Sequence, residues 1–485
     1  MSFATEIAKS VNNPRVLLEL DISQRDIQWV NIGAGIWETN ALNLYSYVDA
    51  SLFPDAYTAQ DFGVVGSVQD FGVVGSVQED GPELTKVDTL AEVTTNATSF
   101  FYNSVTRSLY IRLSNYDEPW LHDVRIGIIS YFSFDEFTPS GAIAPAGRLV
   151  SIPNVSAARD PLFYGKLSYG GGEATIANQD GELDSFGQDN SIYGNKARIK
   201  VGFPGIDISA YYQLFTGYIG NISIGEQTNR VQLLDKRAQL TKPIAYTCTA
   251  QNALDTIKDI LTTNFPITYT SAHFETTTWT ALTSSVGNVT IGIPDTAKGK
   301  LPAIEVIEQI CTSVFGLFLS NHEGKYTFKL VDTTASASST LRAIDFRGEH
   351  NITYDPTQVI SSVKVGYARD YAITGDQYLY VSDATRQASV FNTYQTYNEQ
   401  TFLTLLPDAT AATAYASTIL DYFDEVHGKD QWELPLSYYD RDIGDIVDAE
   451  IRRPQKTMIG TTKSEIVSID YDLNKNSIYT TIRFV

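Results

Sequence analysis

Cysteine is almost missing from this chain: its 485 residues include only Cys248 and Cys311. Two cysteines cannot form a disulfide framework, and both read as buried free thiols, the common state in a reducing compartment. Histidine is as sparse, at His122, His273, His322, His350 and His427. No two of these share helical spacing and there is no HExxH, so zinc hydrolysis loses its usual ligand set. No apolar run approaches the roughly 18 to 20 residues of a membrane helix. The segment from Met1 to Arg15 lacks the basic stretch and apolar centre of a secretory signal, so synthesis in a cytoplasm is expected. Cations are also short: 35 Lys and Arg stand against 57 Asp and Glu, a formal charge of −22. Gripping nucleic acid needs clustered cations that release phosphate counterions, so this balance excludes a specific nucleic-acid binder but not a surface that DNA slides past.

Nucleotide and nucleophile motifs are missing too. There is no GxxxxGK[ST] phosphate loop and no GxSxG elbow. Gly33-Ala34-Gly35 opens like a dinucleotide fingerprint, but Glu38 stands where the third glycine belongs. The oxygen-rich run from Asn178 to Asp184 resembles a calcium loop until it is aligned, when Ile176 and Gly187 fall on the first and twelfth ligand positions. It reads as a tight Asp-Gly turn. The pairs Asp117/Glu118 and Asp424/Glu425 are expected in so acidic a chain, and glycosidase work needs two carboxyls at a set distance across a cleft. No catalytic, cofactor-binding or metal-binding residue is assigned, and the chain is not expected to be an enzyme.

What is present is strand-forming sequence. Tyr (29) and Phe (23) sit among Val, Ile and Thr in short alternating runs bounded by Gly, Asn and Asp. Val16, Leu18, Leu20 and Ile22 alternate with polar residues, as do Leu109, Ile111 and Leu113, then Tyr326, Phe328 and Leu330, then Ile478, Ile482 and Phe484. Each predicts a strand with one buried and one wet face. Three segments have helical spacing instead: Ala253, Leu254, Ile257, Ile260 and Leu261 behind a Thr249 cap; Ile304, Ile307, Cys311 and Val314 behind Pro302; and Tyr415, Ala416, Ile419, Leu420 and Phe423 behind an Asp408 cap. All three read as helices laid on sheets.

Length and hydrophobic content call for two to four packed units. The stretch from Thr138 to Gly147 reads as a boundary, and Thr333 to Thr340 as a hairpin tip or connector. The nonamer QDFGVVGSV occurs twice in tandem, at 60–68 and 69–77. Two copies are too few for a solenoid, and the repeat reads as a duplication in a surface loop or hairpin, where added length costs little. An arm pairing with a neighbouring subunit's sheet edge is the alternative.

Several pieces, taken in order, resemble the tail-tip or baseplate hub proteins of long-tailed bacteriophages. Gly165 to Ser168, Ala174 to Asp184, Ala197 to Gly202, Leu214 to Ile219, Val231 to Asp235 and Gln239 to Pro243 are similar to the first barrel of that family. The segment from Thr249 to Phe315, running into Gly316 to Leu319 and Gly324 to Phe328, is similar to its middle domain. Ala409 to Glu425, Ile443 to Val447, Glu465 to Tyr471 and Ser477 to Val485 are similar to its second barrel. Gly202 and Gly217 would permit sharp sheet curvature.

The resemblance implies a mainly β fold with a few helices (α+β). Its parts would be an N-terminal β-rich module carrying the nonamers at 1–147, a tail-tube-like β-barrel at 148–245, an α+β middle domain at 246–350 and a second such barrel at 351–485. It further implies a homotrimer whose six barrels form a ring. That ring would join a six-fold tail tube to a three-fold central spike or fibre, beside a distal tail or tube ring and a tape measure. DNA would pass through it without specific binding, and the protein would reside at the tail tip of a virion made in a bacterial host. Three copies at −22 each would make an acidic lumen that repels DNA phosphates. A carbohydrate-binding adhesin or tail-associated glycan hydrolase is the alternative, with Trp29, Trp37, Trp120, Trp279 and Trp432 as sugar-stacking platforms.

Overall fold

The computed structural model describes residues 15–24, 38–40, 44–47, 72–79, 85–86, 99–103, 108–112, 124–134 and 147–485, the last with gaps at 161–166, 170, 182, 184–192, 205, 296–298, 333–334, 349, 372–376 and 452–459. The chain forms two compact units, Met1–Pro153 with Gly171–Leu234, and Asn154–Gly170 with Asp235–Val485.

In the first unit an eight-stranded sheet runs in the order Gly72–Glu79, Val124–Ser133, Arg15–Gln24, Lys196–Gly202, Tyr212–Ser223, Thr228–Asp235, Gly172–Ala177, Leu149–Ser151. Alternation sets its inward face: Ala197, Ile199 and Val201 are buried while Lys196, Arg198 and Lys200 are half-buried, and Asn229, Val231 and Leu233 are buried while Arg230 and Gln232 are exposed. Strand Arg15–Gln24 departs from its expected wet face. Val16, Leu17, Leu18, Glu19 and Leu20 are all buried, so this central strand is covered on both sides. The buried Glu19 carboxylate is paired with Arg198 directly across the ladder and with Lys200 at 2.5 Å. Gly202 and Gly217 are required for close approach: a Cβ on Gly202 would lie 2.2 Å from the Tyr211 ring, and one on Gly217 would lie 2.0 Å from the Leu234 carbonyl oxygen. A second sheet contains Glu38–Asn40, Leu44–Tyr47, Ser108–Arg112, Ser99–Asn103 and Thr85–Lys86.

The second unit holds helices α1 (Ala253–Asn264), α2 (Thr276–Leu282), α3 (Ala303–Ser313), α4 (Gln387–Tyr394) and α5 (Ala409–Phe423). Helix α1 buries the five apolar residues of its stripe, but its cap is Asn252, whose side chain accepts from the Leu254 and Asp255 N–H groups; Thr249 lies in the preceding strand. Helix α3 starts after Pro302 and buries Ala303, Val306, Ile307, Ile310 and Cys311, while the expected Ile304 and Val314 pack on the margin of the same core, partly buried. Helix α5 has the expected Asp408 cap, accepting from the Ala411 N–H at 2.9 Å. Around α1 and α3 lie the hairpin Tyr246–Asn252 with Asn288–Ile293 and the hairpin Gly316–Ser320 with Tyr326–Leu330. Tyr326 and Phe328 join Phe274, Trp279 and Phe318 in their core, where Trp279 donates to the Tyr326 carbonyl at 2.9 Å. Helix α5 packs on a three-stranded sheet in the order Gln377–Asp383, Ser362–Asp370, Glu399–Leu403. The stretch expected as a hairpin tip or connector at Thr333–Thr340 is a connector over its described residues 335–338 and then enters a strand, Ser339–Leu341, paired in parallel with Ile446–Ile451.

The same strand order occurs in both units. In the first, the strands at 149–151, 172–177, 196–202, 212–223 and 228–235 lie side by side so that, numbered along the chain from zero, the order is 0-1-4-3-2. In the second, Thr353–Tyr354, Gly428–Pro435, Ile446–Ile451, Gly460–Asp472 and Ser477–Phe484 repeat that order. Among the described residues neither sheet closes into a barrel through its hydrogen bonds. The closure expected for both is not made by these ladders. Leu149–Ser151, Thr353–Tyr354 and Leu167–Tyr169 are edge strands of two or three residues, too short to supply a closing ladder.

Candidate functional site

The Asn-Gln-Asp-Gly run in the first unit is a turn whose oxygens are already engaged. Asn178, fully buried, accepts from the Leu183 N–H at 2.9 Å and donates to Asn229 Oδ1 at 3.3 Å, while Asn229 donates to the Leu183 carbonyl at 3.1 Å. Asp180 takes a two-pronged contact from Arg148 at 2.7 and 2.6 Å. Gly181 sits at φ +74°, the left-handed conformation the turn requires. A cation is replaced here by a guanidinium and two amides, and among the described residues no group of three or more His, Cys, Asp or Glu could hold a metal.

In the second unit the densest charged cluster is buried. Arg159 lies 3.2 Å from Glu465, and both side chains are almost wholly covered. Tyr422 of α5 donates to Glu465 and receives from Arg159 at 2.9 Å, and the Arg483 guanidinium lies 3.6 Å over the Tyr422 ring while donating to its carbonyl at 2.6 Å. Two cations and one carboxylate locked around an aromatic ring join three strands to α5. The cluster has the chemistry of a fastener. A second buried carboxylate, Asp430, accepts from Trp432 Nε1 at 2.9 Å and from the Asn351 N–H at 3.0 Å, and meets His350 Nδ1 at 2.7 Å. His350 is in turn stacked on Phe346 at 4.3 Å.

The other candidates from the sequence disperse. Trp279 and Trp432 are core residues and offer no sugar platform; Trp29, Trp37, Trp120, His122, the pair Asp117/Glu118 and the glycines Gly33 and Gly35 lie outside the described residues, and Glu38 opens a strand. Asp424 pairs with Arg386 at 3.2 Å and serves as a charge partner on α5; burial nevertheless raises its pKa above the ordinary carboxylate value. Cys311 is buried as expected and Cys248 only partly; burial pushes both thiols up, away from reactivity.

One surface was not legible in the sequence. On the three-stranded sheet Val363, Val365 and Phe402 point toward α5, with Phe402 6.1 Å from the Tyr415 ring. The opposite face carries Lys364, Gly366, Tyr380 and Leu403, Gly366 standing level with Tyr380 on one neighbour and Leu403 on the other. Tyr380 and Leu403 are each 44% exposed, and Lys364 Nζ sits 4.3 Å from the Tyr380 ring. Lys364, Tyr380 and Leu403 thus make a mixed cationic, aromatic and aliphatic patch at the surface. Only strand pairing from 362 to 403 brings these residues together.

No protein-family model and no curated protein matches the chain. It is similar in structure to phage tail proteins. The prophage MuSo2 43 kDa tail protein from Shewanella oneidensis is 13% identical with a TM-score of 0.41, over 71% of this chain and 96% of that one. A tail protein from Neisseria meningitidis MC58 is 12% identical with a TM-score of 0.40, over 70% and 94%. The prophage tail protein gp18 from Listeria monocytogenes EGD-e is 10% identical with a TM-score of 0.39, over 68% and 94%.

Proposed function

We propose that this chain is a structural hub subunit of a bacteriophage tail tip or baseplate, acting as a homotrimer and without enzymatic activity. The observation that carries the reading is the strand order 0-1-4-3-2 found once at 149–235 and again at 353–484. A chain with two like β units, taken three times, presents six similar sectors about one axis, which suits a joint between six-fold and three-fold partners. Of the sequence pieces that resemble the family's first barrel, the strands between Ala174 and Asp235 belong to the first of these strand sets, whereas Leu167 and Ser168 and the stretch from Gln239 to Pro243 belong to the second unit.

The partners on this reading are the tube or distal tail ring above, the tape measure, and a spike or fibre below, with DNA passing through an acidic lumen. The three-stranded sheet's open face, with Tyr380 and Leu403, is its subunit contact. The test is the mass of the purified protein in solution by analytical ultracentrifugation, together with antibody labelling of particles. A trimer found at the tail tip is expected; a monomer that degrades or binds cell-wall glycans overturns the reading.

A further inference from the structure

The two strand sets share a turn as well as an order. Ahead of strand 2 in the first set, Gly194 at φ +81° donates to the Ile219 carbonyl at 2.8 Å, and the Ile219 N–H donates back to the Asn195 carbonyl at 2.9 Å. In the second set Gly444 at φ +79° donates to the Ile466 carbonyl at 2.9 Å, and the Ile466 N–H donates back to the Asp445 carbonyl at 3.0 Å. Ile219 and Ile466 are therefore equivalent points on strand 3, and residues 221–224 correspond to 468–471.

Past that turn the sets differ. In the second set an added strand, Val155–Arg159, pairs antiparallel with strand 3 through Val155↔Tyr471, Ser156↔Asp470, Ala157↔Ile469 and Ala158↔Ser468, and Tyr471 is 7% exposed. In the first set the ladder with strand 2 stops at Tyr218, and among the described residues no strand lies beside 221–224 on that side. Ile224, in the place of Tyr471, is 36% exposed, and Asn221 and Ser223 are exposed with it. Along the chain, Val155–Arg159 is inserted between strands 0 and 1 of the first set. The second set's insertion at the same point, 355–427, carries Gln377–Asp383, the end strand of the three-stranded sheet, with Leu379 59% exposed.

We propose that strand Gln377–Asp383 of one copy completes strand 3 of the first set in a neighbouring copy, pairing antiparallel through Leu379↔Ile224, Tyr380↔Ser223, Val381↔Ile222 and Ser382↔Asn221. The inference rests on the trimeric hub reading and names the partner of the surface at Tyr380. The first set's insertion pairs with the second set's strand 3 in its own chain; the second set's insertion does the same for the first set of the next copy. Each copy then gives one strand and receives one, a head-to-tail contact that closes at three copies. The residue pattern fits the place. Leu379 and Val381 alternate with Tyr380 and Ser382 as Val155 and Ala157 alternate with Ser156 and Ala158, so the apolar pair falls on Ile224 and Ile222. Main-chain hydrogen bonds supply the affinity of such an added strand, and its alternate side chains the specificity. The pairing does not involve the first nonamer, 60–68, which lies outside the described residues.

Disulfide trapping tests this in the full chain with Cys248→Ser as background, beside sedimentation of the same samples. Residues directly opposite on paired strands bring their Cα atoms to about 4.5 to 5.5 Å, within disulfide reach. Asn221→Cys with Ser382→Cys is therefore expected to give linked dimers and trimers under mild oxidation. Chains carrying only Asn221→Cys, co-expressed with chains carrying only Ser382→Cys, should give linked dimers, and either alone none. Gln377→Cys in place of Ser382→Cys should not link, because it stands roughly 16 Å further along the strand. Adding Leu379→Asp to the linking pair should slow its closure at least about ten-fold. A trimer in which Asn221→Cys and Ser382→Cys stay unlinked overturns the inference and leaves the hub reading standing, whereas a monomer overturns both. A link formed within one chain also overturns it, since the strand then serves its own copy.

Discussion

Glu465 and Arg159 meet at 3.2 Å from neighbouring strands with side chains 1% and 3% exposed, and Glu465 stands opposite Arg483 on the next strand. Replacing Glu465 with Gln keeps the shape and removes the charge. The buried Arg159 would then lose the charge it pairs with, a change that costs about 3 to 5 kcal/mol. Urea unfolding followed by Trp432 and Trp279, both in this unit, should show the loss. A change under about 1 kcal/mol would mean that Tyr422 and backbone carbonyls suffice to hold the cations.

The turn held by Asn178 and Asn229 gives a second expectation. Asn178→Ala leaves the Leu183 N–H without its acceptor in a buried place, costing about 1 to 3 kcal/mol. Because Arg148 supplies the positive charge at Asp180, adding EDTA or calcium should leave the melting temperature of the unmodified chain unchanged. A calcium-dependent rise that Asp180→Asn abolishes would restore the metal reading.

His427 sets an acid limit. Burial pushes its pKa below the ordinary histidine value, against the opposing pull of the Phe484 backbone and of Glu425, Asp424 and Glu465. Its Nε2 lies 3.2 Å from the Tyr422 carbonyl, beside the arginine cluster. A group whose folded pKa is lowered contributes stability above its unfolded value, roughly 6.5, and loses it as pH falls through the folded value. Thermal melting should therefore decline from pH 7.5 toward pH 5 more steeply in the unmodified protein than in His427→Gln. Equal slopes would rule out His427 as the source.

The parts legible in the sequence were those settled within one or two turns of chain. Asp408 capped its helix because the acceptor and the Ala411 N–H are three residues apart. The α1 stripe was read correctly for the same reason, although a closer asparagine took the cap from Thr249. What was lost depends on distant partners. Leu17 and Glu19 were read as a wet face, since nothing local reports that a strand is covered on both sides or that Arg198 and Lys200 await a carboxylate 179 residues away. The short α2 and α4 lack an apolar stripe; they bury only Trp279 and Val390 respectively. The shared strand order and the Tyr380–Leu403 surface arise from pairing alone.

That surface carries the last prediction. Tyr380 and Leu403 stand on the side of their sheet away from α5, each 44% exposed, so replacing them leaves the packing between the sheet and α5 in place. Substitutions at such sites ordinarily change stability by no more than about 0.5 kcal/mol. At the centre of an interface, however, an aromatic or aliphatic anchor is worth about 2 kcal/mol or more, and a buried carboxylate in its place adds a desolvation cost. Leu403→Asp, and separately Tyr380→Asp, should therefore leave the thermal melt of the isolated chain unchanged while weakening self-association at least 30-fold, read as a shift from trimer toward monomer in sedimentation at micromolar concentration. Lys364→Glu should weaken it less, because a rim charge acts through screened electrostatics. If the variants sediment as the unmodified protein does, the subunit contact lies elsewhere and this face has no part in assembly of the trimer.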